Sequence, residues 1–332
     1  MSEAPARRNR GAALLWQLAD KLGAIAILVV ILFGMSIAYA DFVTVDNLLT
    51  IGVQATTRAI LAIGVTLIIV SGGIDLSVGT SMSLCMVVMG VFSIYWELPI
   101  ELAGAMAIAT GAAVGLVNGM IIAFGGLPPF IATLGMLGIA QGIALMLSQG
   151  YSMYGFPASF EFVAGGSVFG VPVPLLILAA IAVLMVYVFK QTRLGRYAYA
   201  IGGSEEASRR SGIGVRTYKI AIYVTGGALV GAAAIVLASR INSAHPGIGF
   251  GYELDAIAAA VIGGASLQGG RGTVGGAIIG ALIMATIRFG LNVLGMSPFV
   301  QQIVIGAILI AAVYLDIVRT KQEARLGRLR AH

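Results

Sequence analysis

Four ionisable side chains interrupt long apolar runs of this sequence: Arg58, Asp75, Asp255 and Arg288. A charge inside a bilayer costs roughly 2.5–3.5 kcal/mol on insertion scales, so each of the four marks a position with a task. Carboxylates so placed can relay protons or line a polar path. Asp75 and Asp255 both sit beside glycine-rich sequence, whereas Arg58 and Arg288 read first as snorkelling groups or as ion-pair partners inside a bundle. Hydrolytic chemistry finds no support. The nearest carboxylate pair, Glu253 and Asp255, has an i,i+2 spacing that does not converge on one helix face. HExxH and GxSxG are absent, and Gly264 to Arg271 lacks the lysine of a GxxxxGK[ST] phosphate loop. Any ATP hydrolysis would belong to another chain. Cys85, the single cysteine, lies in an apolar run, and His245 and His332 read as solvated, so no metal site is expected.

Two glycine-rich breaks share the pattern GGxxLxxG: SGGIDLSVG at Ser71 to Gly79, and IGGASLQGG at Ile262 to Gly270. Irregular backbone survives in lipid only where protein or a water-filled cavity covers it. Gly72, Gly73, Gly263 and Gly264 are therefore candidates for a gate or re-entrant element, with Asp75 inside the first break. The competing reading is tight helix packing through small residues. Asn118, Thr133, Gln141 and Asn292 lie in helical blocks and could line a sugar-sized aqueous path or hydrogen-bond between helices.

One long polar stretch, Lys190 to Lys219, separates the apolar blocks. Within it Ser204 can cap a helix, Glu205 and Glu206 suit its N-terminal dipole, Arg209 and Arg210 its C-terminal end, and Gly212 can stop it. Glu205 with Arg209 and Glu206 with Arg210 are i,i+4 pairs, each worth roughly 0.2–0.5 kcal/mol. The helix expected at 204–211 is too short to stand alone and needs something to rest on.

These elements sit in a chain of 332 residues that is 59% hydrophobic and only 10% charged, with 46 glycines, a polytopic membrane composition. The sequence predicts an all-α protein with about ten transmembrane helices near 22–40, 48–70, 76–95, 99–124, 129–148, 172–189, 217–239, 252–267, 272–294 and 299–317. The Ala38-Tyr39-Ala40 end of the first segment resembles a processing site, but its length matches an uncleaved span. Placing both termini inside puts every Lys and Arg except Arg58, Arg240 and Arg288 in cytoplasmic segments, as the positive-inside rule requires. That clustering also reads the basic excess as topology rather than nucleic-acid binding. Residues 1–21 are expected as a cytoplasmic tail, 22–318 as the membrane domain, 190–216 as its cytoplasmic loop, 149–171 as an outer loop that could serve a partner, and 319–332 as a basic tail.

Three stretches carry a family resemblance: VTLIIVSGGIDLSVG, TRLGRYAYAIGGSEEASRRSGI and GYELDAIAAAVIGGASLQGGRGTVGGAIIGALI. They resemble the permease subunits of bacterial ribose-type monosaccharide ABC importers, over about residues 20 to 318. The resemblance implies a homodimeric inner-membrane pore, a cytoplasmic ATPase that carries the ATP and Mg, and a periplasmic sugar-binding protein. It also implies that Gly202, Gly203, Ser204, Glu205, Glu206, Ala207, Arg209, Arg210 and Gly212 form the ATPase-coupling loop. Ser204 stands where the family's sugar version has Asn, and Glu206 where it has Ala, so the motif role falls to either Glu205 or Glu206. Two other readings stay open: a proton-coupled secondary sugar transporter using Asp75 or Asp255, and a membrane anchor that docks a sugar-binding protein without transport.

Overall fold

Long apolar runs fold as helices because, without water, each backbone group must bond within its own segment. The computed structural model describes residues 10–329. Helices α1 (Arg10–Ala38) and α2 (Val45–Val70) are followed by α3 (Val78–Gly90), which runs on into a π turn at Val91–Tyr95, and then by α4 (Ile100–Gly125) and α5 (Pro129–Ser148). A structured loop carries strand β1 (Met153–Tyr154), a 3-10 turn at Ala158–Glu161, α6 (Phe162–Gly165), and the hairpin of β2 (Ser167–Val168) with β3 (Val171–Pro172). Then come α7 (Val173–Gln191), the short α8 (Arg193–Gly203) and α9 (Glu205–Arg210), and α10 (Val215–Ile241). Strand β4 (Ser243–Ala244) pairs antiparallel with β1, and α11 (Tyr252–Ile262), α12 (Val274–Val293) and α13 (Pro298–Leu329) complete the chain.

Among the described residues, 8 helices are long and apolar enough to cross a membrane: α2, α3 with its π turn, α4, α5, α7, α10, α12 and residues 298–318 of α13. Two of the ten expected spans differ. The described apolar part of the first, Gly23–Ala38, is shorter than that standard. The expected span at 252–267 is corrected outright, because α11 has only 11 residues. At about 1.5 Å per residue it covers roughly 16 Å, half the hydrocarbon thickness of about 30 Å. Hydropathy misleads here because backbone dihedrals bound the helix: Gly251 (φ 95°) precedes it, and Gly264 (φ 93°) follows it.

The chain before α11 runs beside α3 without forming a helix. A Cβ on Gly90 would meet Ala244, and a Cβ on Gly79 would meet the Gly249 carbonyl, so residues 244–249 descend alongside α3. Gly249 N donates to Ser83 Oγ (2.8 Å), and Gln141 Nε2 donates to the Pro246 carbonyl (3.1 Å). Boundaries drawn at 21 and 319 also shift, since α1 and α13 run through both as continuous helix. Residues 1–9 and 330–332 of the expected tails lie outside the described residues.

Helix α2 is the hub of the bundle, buried continuously from Ala55 to Val70. The most extensive helix contact is between α4 and α10, where small residues let backbones touch. A Cβ on Gly111 would stand 2.1 Å from the Gly227 carbonyl oxygen, and one on Gly115 2.1 Å from that of Tyr223. The same device joins α11 to α12, where a Cβ on Gly280 would stand 1.9 Å from the Ala259 carbonyl oxygen.

Candidate functional site

The expected capped helix is present as α9. Ser204 is extended (φ −165°), and its hydroxyl accepts from Ala207 N at 3.2 Å. Arg209 Nη2 reaches Glu205 Oε1 at 2.9 Å, and Arg210 pairs with Glu206. Gly212 takes φ 81°, and Ile213 N turns back to the Ser208 carbonyl at 3.1 Å, which ends the helix.

The two glutamates differ in environment. Glu205 also receives Lys219 Nζ of α10 at 2.7 Å, which is what α9 rests on. That ammonium, with the Arg209 guanidinium, holds the Glu205 carboxyl below its ordinary pKa. Glu206 is 75% exposed and points away from the bundle.

Helix α8 was not expected from the sequence. Thr192 caps it by accepting from Gly195 N (3.4 Å), and it buries Gly195, Ala198 and Ile201. The signal was available in the i, i+4, i+7 spacing of Leu194, Ala198 and Ile201 after a capping threonine.

Gly202, near the end of α8, is wedged between the two glycine-rich breaks. A Cβ there would stand 1.8 Å from the Val70 carbonyl oxygen and 2.7 Å from Gly270 N. The breaks are themselves joined, with Gly270 N donating to the Val70 carbonyl at 2.8 Å. Tyr199 Oη donates to the Gly272 carbonyl at 2.6 Å. Both breaks thus lie at the end of the bundle that carries α8 and α9. A cavity of about 230 Å³ opens there, lined by Ser71, Gly72, Gly73, Gly202, Glu205, Lys219 and Tyr223 among others. A hollow of about 400 Å³ lies elsewhere, between the π-turn region and the loop at 155–159.

The first break, 71–77, is held by buried side chains. Asp75 Oδ1 accepts from Ser77 N (2.8 Å) and Ser77 Oγ (2.6 Å), and Asn118 Nδ2 donates to that Oγ (3.0 Å). Thr133 Oγ1 accepts from Leu76 N (3.1 Å), and Tyr223 Oη donates to the Ile74 carbonyl (3.3 Å). Asn118 and Thr133 therefore bridge helices to the break, both at 0% exposure.

The second break, 263–273, has Gly263 packed on the Gly276 carbonyl and positive φ at Gly264, Gly269, Gly270 and Gly272. Asp316 of α13 accepts from Ser266 Oγ and Leu267 N, both at 3.3 Å. Asn292, expected near the gate, is instead an exposed residue at the far end of α12.

Asp255 is drawn into an ion cluster within the bundle. Arg58 Nε donates to Oδ2 at 2.8 Å, and Arg288 reaches Oδ2 with Nε (3.1 Å) and Oδ1 with Nη2 (2.8 Å). Arg58 also stacks 5.0 Å from the Tyr252 ring centroid. The cluster pins the first turn of α11 to α2 and α12. Among the described residues no group of acidic, histidine and cysteine side chains could hold a metal ion.

Comparison with known proteins identifies relatives over most of the chain. The family described as "Branched-chain amino acid transport system / permease component" matches residues 47–313. The ribose import permease protein RbsC of Escherichia coli K12 is 41% identical over 90% of this chain and 94% of its own length. The D-allose transport system permease protein AlsC of the same organism is 37% identical over 95% and 96%. The galactose/methyl galactoside import permease protein MglC of Salmonella typhimurium is 38% identical over 93% and 96%. No solved structure matches significantly. With its bundle of apolar helices, and with a match that spans most of its length, the chain belongs to this family of membrane permeases.

Proposed function

We propose that the chain is the membrane-spanning subunit of an ATP-driven importer and forms the path for a monosaccharide, a ribose-type pentose or a related small sugar. Its relatives are import permeases for ribose, allose and galactose, and the likeness covers nearly the whole chain. The protein is a multi-pass inner-membrane subunit. Energy enters from a cytoplasmic ATPase that carries the ATP and Mg, sugar arrives from a periplasmic binding protein, and a second copy of the chain completes the pathway.

The observation that carries the coupling role is α9, a capped six-residue helix that presents Glu206, Arg209 and Arg210 outward while Glu205 fastens it to Lys219. In this reading Glu205 is the internal tie and Glu206 faces the ATPase. Cations collect around α8 and α9, which sets that end of the bundle in the cytoplasm. Residues 242–262, as an extended run followed by α11, make a crossing that neither part could make alone. Together with α1 and the eight long helices this gives ten passages and cytoplasmic termini.

A proton relay through Asp255 is disfavoured, because both of its oxygens are taken up by guanidinium donors, which leaves Asp75 as the carboxylate for a proton-coupled reading. The test is reconstitution with the cognate ATPase and binding protein. Gly212→Pro or Arg209→Glu is expected to abolish sugar-stimulated ATP hydrolysis while the subunit still inserts. Normal coupling in both variants, or uptake that needs no ATPase and collapses with the proton gradient, would sink the assignment.

A further inference from the structure

Helix α8 touches both glycine-rich breaks at once, through contacts that leave no slack. Gly202 lies against the Val70 carbonyl, where the first break begins, and against Gly270 N in the second. Gly269 completes the wedge, since a Cβ on it would stand 2.7 Å from the Gly202 carbonyl oxygen. Three residues before Gly202, on the same helix, Tyr199 holds the Gly272 carbonyl at 2.6 Å. The two breaks share one direct bond, Gly270 N to Val70 O at 2.8 Å, directly beside this wedge.

Glycine at 202 and 269 is required because the backbones approach closer than any side chain allows. Packed backbone of this kind transmits displacement without first taking up free volume, since close-packed interiors are poorly compressible. Helix α9 follows α8 after the single residue Ser204, whose N donates to the Ala200 carbonyl at 3.1 Å. A push on α9 is therefore delivered to α8 and, through it, to both breaks.

We infer that Tyr199, Gly202 and Gly269 form a two-sided clamp that makes the breaks move together when α9 is displaced. These are positioning residues, which act through the backbone they grip. The inference rests on the coupling role of α9 and adds that one helix sets two gate elements in a single step. The sequence likeness of the breaks then has a mechanical counterpart, because each presents irregular backbone to the same helix.

The experiment uses the full transporter with its ATPase and binding protein in proteoliposomes. Single cysteines are introduced by Ile74→Cys in the first break or Gln268→Cys in the second, in a Cys85→Ser background. Their maleimide labelling rates are measured with and without vanadate-trapped nucleotide. In the otherwise unsubstituted chain, trapping is expected to change both rates several-fold. Tyr199→Phe, which removes one oxygen and no bulk, is expected to cut the response at Gln268→Cys by at least half and leave that at Ile74→Cys intact. Gly202→Ala is expected to reduce both, and Tyr199→Phe is expected to retain basal ATP hydrolysis.

A parent in which only one break responds, or a Tyr199→Phe variant in which both respond fully, overturns the clamp. Should Gly202→Ala not fold, the Tyr199→Phe comparison decides alone. If the ATPase fails to bind the parent chain at all, the functional reading itself falls, and the clamp with it.

Discussion

The two glycine-rich breaks carry the same GGxxLxxG pattern and are stabilised by opposite means. The first is a polar knot, which Asn118, Thr133 and Tyr223 tie down from three helices and Asp75 and Ser77 from within. The second winds through four glycines at positive φ and is gripped from outside, by Tyr199 of α8 on the Gly272 carbonyl at 2.6 Å and by a carboxylate from α13 at 3.3 Å. Similar sequence therefore yields a break tied to neighbouring helices by buried side chains in one place, and one whose path is set by glycine dihedrals in the other. Side-chain bonds to a buried carboxylate are expensive to lose, whereas glycine dihedrals are soft.

The largest expected effect concerns the ion cluster that anchors α11, the helix leading into the second break. Asp255→Ala leaves Arg58 and Arg288 facing each other without a counter-ion. Breaking a buried ion pair from one side costs roughly 3–5 kcal/mol, so little folded protein should survive detergent extraction and thermal unfolding. Asp75→Ala strips the first break of the buried acceptor for Ser77 N and Oγ and is expected to cost about 1–3 kcal/mol in the same assay.

Gly264→Ala probes the second break by strain alone. A Cβ there meets nothing within 4 Å but must adopt φ 93°, for a loss of about 1–2 kcal/mol.

Smaller effects come from α9, whose movement both breaks are proposed to feel. The folded pKa of Glu205 lies below its unfolded value, so the tie to Lys219 contributes fully above the ordinary carboxylate range and is lost as pH falls through the folded pKa. Sugar-stimulated ATP hydrolysis should therefore decline on the acid side, and Glu205→Gln should be weaker at neutral pH and flatter across that range. Glu206→Ala is expected to change stability by less than about 0.5 kcal/mol, as exposed sites do. Its measurable effect should be weaker ATPase binding in a pull-down.

Local chemistry was readable in the sequence, and long-range pairing was not. The α9 cap could be read because Ser204 and Gly212 act on backbone within a few residues of themselves. The importance of Asp255 was visible in its type and setting, but its partners lie on α2 and α12, and no local rule joins Arg58 to a residue so distant in the chain. The apolar pattern of α8 was present in Leu194, Ala198 and Ile201, yet it was hidden by the dense charge around it. Conversely, residues 252–267 were apolar enough to pass for a full span, because hydropathy carries no information about the dihedrals of Gly251 and Gly264.

The half-length α11 also bears on how the protein is made. A segment leaving the ribosome partitions into lipid as a helix only if it can satisfy its backbone by itself, and residues 242–262 offer 11 helical positions and an extended run. Their partners are Ser83 on α3, Arg58 on α2, Gln141 on α5 and Arg288 on α12, and the last of these is synthesised later. The ion cluster can therefore close only after α12 has been made, although Arg58 and Asp255 are both synthesised before it.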